Sequence, residues 1–221
     1  MTHKAPRRLL GAALLAALAL LPTTTRAQTA AAARSGEGVP QAVPASDELP
    51  PQEREALAWA RELAAEATRS MEGWLTSGAI TEERLFARLY YPIPQRDPPK
   101  FSTDYDALAD RDFQAPEEKM LARSTTMVYA LIGDANGYIP THNQRYSVPL
   151  TGNRIYDLVN NRTKRIFGDR TGIMAGRNEL PYLIQNYKRD TGEVLYDLSV
   201  PVMVRGRHFG CVRIGYRRDV H

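Results

Sequence analysis

From Glu53 onward the chain takes on a helical period. Leu57, Ala60, Leu63, Ala64, Ala67, Met71, Trp74 and Leu75 recur at spacings of three and four, which gathers them on one face of a helix. Pro50 and Pro51 precede the run, acids occupy its first turn, and Ser77-Gly78 ends it, as the chemistry of helix ends requires. Thr81 is placed to cap a second short helix over 82–89. The stretch YYPIPQRDPPK that follows reads as an extended, proline-stiffened loop. A third helical piece is expected from Pro116 to about Arg123.

Beyond that point the period falls from helical to strand-like. Met127 to Ile132 is a nearly all-apolar run of the kind buried on both faces, and Asp134-Ala135-Asn136-Gly137 after it is a turn. Tyr138 to His142 can return as a second strand, with Pro140 limiting its pairing. Residues 153–167 read as a short helix, followed by the Gly-containing loop FGDRTGIMAGRN. Strands are then expected over Tyr182–Lys188, Val194–Val204 and His208–Tyr216, joined by Arg189-Asp190-Thr191-Gly192 and Arg205-Gly206. In the middle strand Val194, Tyr196, Leu198, Val200, Val202 and Val204 share one face, and Asp197 and Ser199 point to the other. The expected fold class is α+β: a long N-terminal helix packed on a five-stranded antiparallel sheet with a helical insertion.

The N-terminal region stands apart. Basic residues up to Arg8 precede an apolar run from Leu9 to Leu21, then a polar stretch ending Thr25-Arg26-Ala27. That is the layout of a cleaved export signal over 1–27, and the run is shorter than the roughly 20 residues of a spanning helix. Residues 28–52 are rich in Ala, Pro, Gly and Ser and poor in large apolar side chains, a disordered linker by composition. A single folded domain then covers 53–221, and the mature protein is expected in the periplasm. The one cysteine, Cys211, cannot form an intrachain disulfide, so the fold must rest on its hydrophobic core.

The formal charge of +4 changes meaning once the leader is set aside, because residues 1–27 hold four basic side chains and no acid. The neutral remainder divides unevenly: residues 28–150 carry 12 basic and 18 acidic side chains, residues 151–221 carry 13 and 7. Nothing in this balance points to nucleic acid as a partner. A positive sheet half favours a small anionic ligand such as an organic acid, since arginine offers a planar fork of donors to a carboxylate.

Six phrases in one order, YYPIP, DPPKFSTDY, DANGYIPTHN, NRTKRIFGDRTGIMAGRN, LIQNYKRDTG and DLSVPVMVRGRHFGCVRIGY, carry a resemblance. Across roughly Phe86 to Arg217 the chain is similar to the extracytoplasmic sensor region of a group of bacterial methyl-accepting chemotaxis proteins, Cache/PAS-like in fold. The resemblance implies a periplasmic lobe whose small-molecule ligand sits between the sheet and its helical and loop cover. In that family the signal leaves through a membrane helix to a cytoplasmic methyl-accepting rod. This chain departs from the pattern in ending at His221, directly after the last expected strand. The expectation is therefore a free-standing sensor lobe acting in chemotaxis-like signal transduction through a separate membrane receptor or kinase lacking its own sensor lobe. Such lobes often pair through their long N-terminal helices, so a homodimer through that helix is the expected assembly.

Candidate ligand-binding residues follow from charge and placement: Arg162, Arg165 and Arg177 in the insertion, Tyr187 and Arg189 on the strand opposite, Tyr138 and His142 around the first turn, and Asp197 interrupting an apolar strand. Tyr91, Phe101 and Tyr105 in the aromatic loop are candidates for a lid. No Ser-His-Asp, H-E-x-x-H or G-x-S-x-G arrangement is present, so binding rather than catalysis is expected, with no catalytic residues and no metal. A second function class remains: a noncovalent haem- or redox-sensing protein on the same fold, held through one histidine, because covalent haem needs C-x-x-C-H and Cys211 stands alone.

Overall fold

The computed structural model describes residues 45–188 and 193–218. The export signal, most of the linker, and the Arg189 to Gly192 turn lie outside the described residues. Helix α1, Pro51–Thr76, begins at the second proline and ends where Ser77 returns its N–H to Gly73 and Gly78 turns left-handed at φ 73°. Its buried stripe alternates Ala56, Ala60, Ala64 and Ala67 with Leu57, Leu63, Met71 and Trp74. The alanines let the helix lie close on the sheet, and each buried large side chain contributes about 1.5–3 kcal/mol. Trp74 stacks on Phe113 and donates its indole N–H to Asp112 at 2.5 Å.

Helix α2 spans only Glu82–Leu85, capped by Thr81, and stops short of Leu89 because Arg88 is left-handed at φ 54°. That conformation carries the Arg88 guanidinium onto the carbonyls of His208 and Phe209 and over the Phe209 ring. The proline-rich loop folds back as a short hairpin, β1 (Tyr91–Ile93) with β2 (Lys100–Ser102). Two helices follow, α3 (Asp106–Asp112) and α4 (Gln114–Leu121). The apolar spacing of Tyr105, Ala109 and Phe113 that drives α3 is legible only once these residues are known to be buried.

The main sheet is antiparallel and has four strands among the described residues, in the order β3 (Met127–Asp134), β8 (Arg207–Tyr216), β7 (Val194–Val204), β6 (Leu183–Lys188). The expected fifth strand, Tyr138 to His142, does not join it. Only Tyr138–Ile139 is extended, as β4, and it pairs instead with β5 (Arg165–Ile166). The outer amides of β3 are already taken by side chains: Ala130 donates to Asn143 Oδ1 at 2.9 Å and Ile132 to Glu117 Oε1 at 3.0 Å. Pro140, which has no N–H, ends the strand. The insertion carries α5 (Arg154–Asn160) and, where a loop was expected, α6 (Arg170–Gly176), whose N-terminus Asp169 caps by accepting from Gly172 at 3.0 Å.

Both faces of the sheet are covered, as the unbroken burial of β3 requires. Ala130, Ile132, Leu198, Val200, Val202, Val212 and Ile214 meet α1 and α4 in the main core. Tyr129, Leu131 and Leu195 face the other way and pack with Ile139, Tyr146, Phe167 and Tyr187 under the insertion. No helix among the described residues is long and apolar enough to cross a membrane.

Among the described residues Glu117 is a fully buried acid of the main core with no cationic partner, and burial pushes its carboxyl up to about 8 against the pull of the Ile132 N–H and the Thr141 hydroxyl. The unfolded chain therefore releases this proton near 4.5 while the native state keeps it. Stability should fall as pH rises through that window, by up to roughly 1.4 kcal/mol per pH unit. Glu117→Gln keeps the acceptor oxygen and removes the titration. Urea unfolding at acidic and mildly alkaline pH should show a flatter pH dependence in the variant, and an unchanged slope would contradict this assignment.

Candidate functional site

The second face of the sheet should be apolar if packing were its only task, yet it carries Asp197 and Ser199 on β7 and Arg213 on β8, all buried. Register sets Asp197 opposite Gly215 and Ser199 opposite Arg213, so the two charges lie on a diagonal within side-chain reach. Arg213 donates Nε to Asp197 Oδ2 at 2.9 Å, and its Nη2 stands 2.8 Å from the same oxygen as an ion pair. The Tyr129 hydroxyl donates to that oxygen as well. With these groups gathered on Oδ2, Asp197 Oδ1 is buried with no hydrogen-bond partner among the described residues.

Glycine makes this geometry possible. A Cβ on Gly215 would stand 2.2 Å from the Tyr129 ring, so only glycine there lets the ring lie across β8 and bring its hydroxyl to Asp197. Burial, then the charge of Asp197, raises Tyr129 well above the ordinary phenol range, and burial raises Tyr187. Both are neutral donors under physiological conditions. Burial alone would lower Arg213, but the Asp197 carboxylate beside it more than offsets that and holds the guanidinium charged.

Above this polar floor the insertion leaves a cavity of about 40 Å³. Tyr129, Leu131, Tyr187 and Arg213 line it from the sheet, and His142, Tyr146, Arg162, Phe167, Asp169 and Thr171 line it from the cover. Backbone bonds fix the cover: Arg162 N–H donates to the Tyr146 carbonyl at 2.6 Å, and Phe167 N–H donates to Gly137 at 2.8 Å. Gly137 is itself left-handed at φ 77°, and a Cβ there would stand 2.5 Å from the Phe167 carbonyl oxygen. The Arg162 guanidinium lies over the Phe167 ring at 5.2 Å and makes no hydrogen bond or ion pair among the described residues. His142 stands edge-on to Tyr146 at 4.9 Å between ring centres. The site thus offers one uncommitted cation and one paired with Asp197, while the Tyr187 hydroxyl donates to Tyr129 at 3.3 Å.

Of the expected ligand-binding residues, His142, Arg162 and Tyr187 line the cavity, and Asp197 lies behind its floor. Far from being a solvent-facing strand position, Asp197 is fully buried. Tyr138 belongs to the opposite side: its hydroxyl donates to Asp106 at 2.9 Å and to the Phe101 carbonyl at 3.0 Å, because alternation along β4 sends Ile139 toward the cavity side instead. Arg165 sits behind Phe167, over its ring at 5.0 Å, and donates to the Leu158 carbonyl. Arg177 is exposed just past the end of α6, and Arg189 lies outside the described residues. None of the expected lid residues covers the cavity. Tyr91 is exposed on β1, Phe101 packs toward the main core from β2, and Tyr105 is buried with its hydroxyl on Asp134 at 3.2 Å.

No family model matches the chain, and no curated protein matches it. The residues must therefore speak for the site. His142, the histidine at the cavity, is buried and stands edge-on to Tyr129 and Tyr146. Among the described residues no three His, Cys, Asp or Glu side chains come together as a metal would require. The Cys211 thiol is buried and pushed up to about 12 by that burial, which makes it inert. Arg213 is the residue that reading along the chain missed; its signal was a charge interrupting an apolar strand two residues after Cys211, matched by Asp197 on the neighbouring strand.

Removing one member of a buried pair leaves the other uncompensated, at a cost of about 3–5 kcal/mol. Asp197→Ala should therefore destabilise strongly in chemical denaturation. Joint replacement, Asp197→Leu with Arg213→Met, should recover most of the loss. If the double variant instead loses the sum of the two single losses, the charges are not the coupled pair described here.

Proposed function

We propose that this chain is a small-molecule-binding sensor module of Cache/PAS type, exported to the periplasm, that binds a small anion such as an organic acid and signals through a separate membrane receptor or kinase. The observation that carries the reading is the half-buried Arg162 guanidinium, uncommitted among the described residues, at an open-mouthed cavity between sheet and insertion. Arg213 lines the floor of the same space as a second cation, and Thr171 adds a neutral polar group. An anion would receive charge-assisted hydrogen bonds there, roughly twice as strong as neutral ones.

The fold supports the same reading at the level of architecture. A helix packs on one face of an antiparallel sheet and a helical insertion roofs the other, which is where a sensor of this type would hold its ligand. On this reading β4 stands for the fifth strand of such a sheet, turned away from β3 by the Glu117 and Asn143 side chains. Export rests on residues 1–27, where a basic stretch and a short apolar run precede small residues. Binding rather than turnover is the expected activity: the cavity's one carboxylate, Asp169, is engaged in capping α6.

Isothermal titration with a panel of organic acids, amines and neutral solutes tests the proposal. Acids of a few heavy atoms should bind, and Arg162→Gln should weaken them by about tenfold or more, the worth of a hydrogen bond to a charged group. Binding of amines or neutral solutes with no binding of acids would overturn it.

A further inference from the structure

A lysine is rarely buried unless a carboxylate pairs with it. Lys100 on β2 is 5 % exposed and forms no ion pair among the described residues. Its Nζ donates instead to three oxygens of one short segment: the Asn161 carbonyl at 3.3 Å, the Asn161 side-chain Oδ1 and the Thr163 carbonyl. Asn161 and Thr163 stand on either side of Arg162. The Arg162 N–H points the opposite way, to the Tyr146 carbonyl at 2.6 Å. Residues 161–163 are thus held as a strand is held between two neighbours, with a lysine amine where the N–H groups of one neighbour would stand. Backbone pairing resumes one residue further on, where the Phe101 N–H donates to the Lys164 carbonyl at 2.9 Å.

We infer that Lys100 is a positioning residue for Arg162: without lining the cavity itself, it grips the residues on both sides of Arg162 and so fixes where the guanidinium stands over Phe167. The inference deepens the reading of that cavity as an anion site and rests on it. Burying the amine is costly. Burial first, then the charge of Arg165, pushes it down to about 7, with Lys164 adding to the push and Asp157 opposing it. Arg96 brings a further positive charge to the surface cleft that Lys100, Asn161 and Thr163 line together. The ammonium has three N–H groups for its three acceptors, and the neutral amine has two. The grip on Arg162 therefore loosens as pH rises through that range, and the affinity for an anion falls with it.

Side-chain NMR of the full chain tests this with no ligand present. The Lys100 Hε and Arg162 Nε–Hε resonances should titrate together with one midpoint at about 7, while the Arg213 resonance, fixed by Asp197, stays in place. Lys100→Met removes the donors and keeps the apolar stem; it should shift the Arg162 resonance and weaken acetate binding about tenfold, the worth of a misplaced bond to a charged group. Lys100→Gln retains two N–H donors and should recover most of both effects. An Arg162 resonance that follows the His142 ring instead of Lys100, or that Lys100→Met leaves unmoved while unfolding comes at lower denaturant, overturns the inference and leaves Lys100 a support of the fold alone. If the wild-type chain binds no acid, the anion reading fails by itself, because the coupling of Lys100 to Arg162 is read in the free protein.

Discussion

A carboxylate and a guanidinium placed in the middle of a sheet buried on both sides impose the arrangement of everything above them. Asp197 is fully buried and Arg213 nearly so, so the charge of each is balanced by the other. Their strands are registered for that purpose, with Gly215 clearing the space through which Tyr129 adds its hydroxyl. A buried ion pair is weak evidence of net stability, because desolvation takes back much of the attraction. What the pair secures is orientation. It locks the Arg213 guanidinium against the floor of the cavity that the insertion leaves.

The insertion is shaped to the same end. Arg162 is held by the Tyr146 carbonyl through its backbone and by Phe167 through its ring, and Phe167 is in turn held by Gly137. No acid among the described residues is bonded to the Arg162 side chain, which leaves it able to pair with an anion. The two arginines therefore differ in kind: Arg213 is a fixed part of the protein's own charge network, and Arg162 is the group with capacity to spare.

The elements that dominate the fold were legible in the sequence because their periods are long. The α1 stripe extends over 26 residues and β7 over 11, and the Asp134 to Gly137 turn declares itself through its residue types. Short elements were not legible, since a strand of two residues has no period: whether Tyr138 or Ile139 faces the cavity depends on where β5 lies. The same holds for α6, whose glycines and lone methionine suggest a loop until Asp169 is seen capping it. At the site, Asp197 could be singled out as an anomaly in an apolar strand, but pairing it with Arg213 needs the register between β7 and β8. The lid failed for a physical reason too, because Tyr105 and Tyr138 satisfy their hydroxyls on buried aspartates of the main core.

The central claim is that Arg162 and Arg213 receive the ligand together. The most direct measurement follows the side-chain Nε–Hε resonances of isotope-labelled arginines while a small carboxylate such as acetate is titrated in. The signals of Arg162 and Arg213 should move together and saturate at one dissociation constant, with exposed Arg177 unmoved. Saturable movement at Arg177 with Arg162 and Arg213 unchanged, or no saturable movement with any acid of the panel, would contradict it.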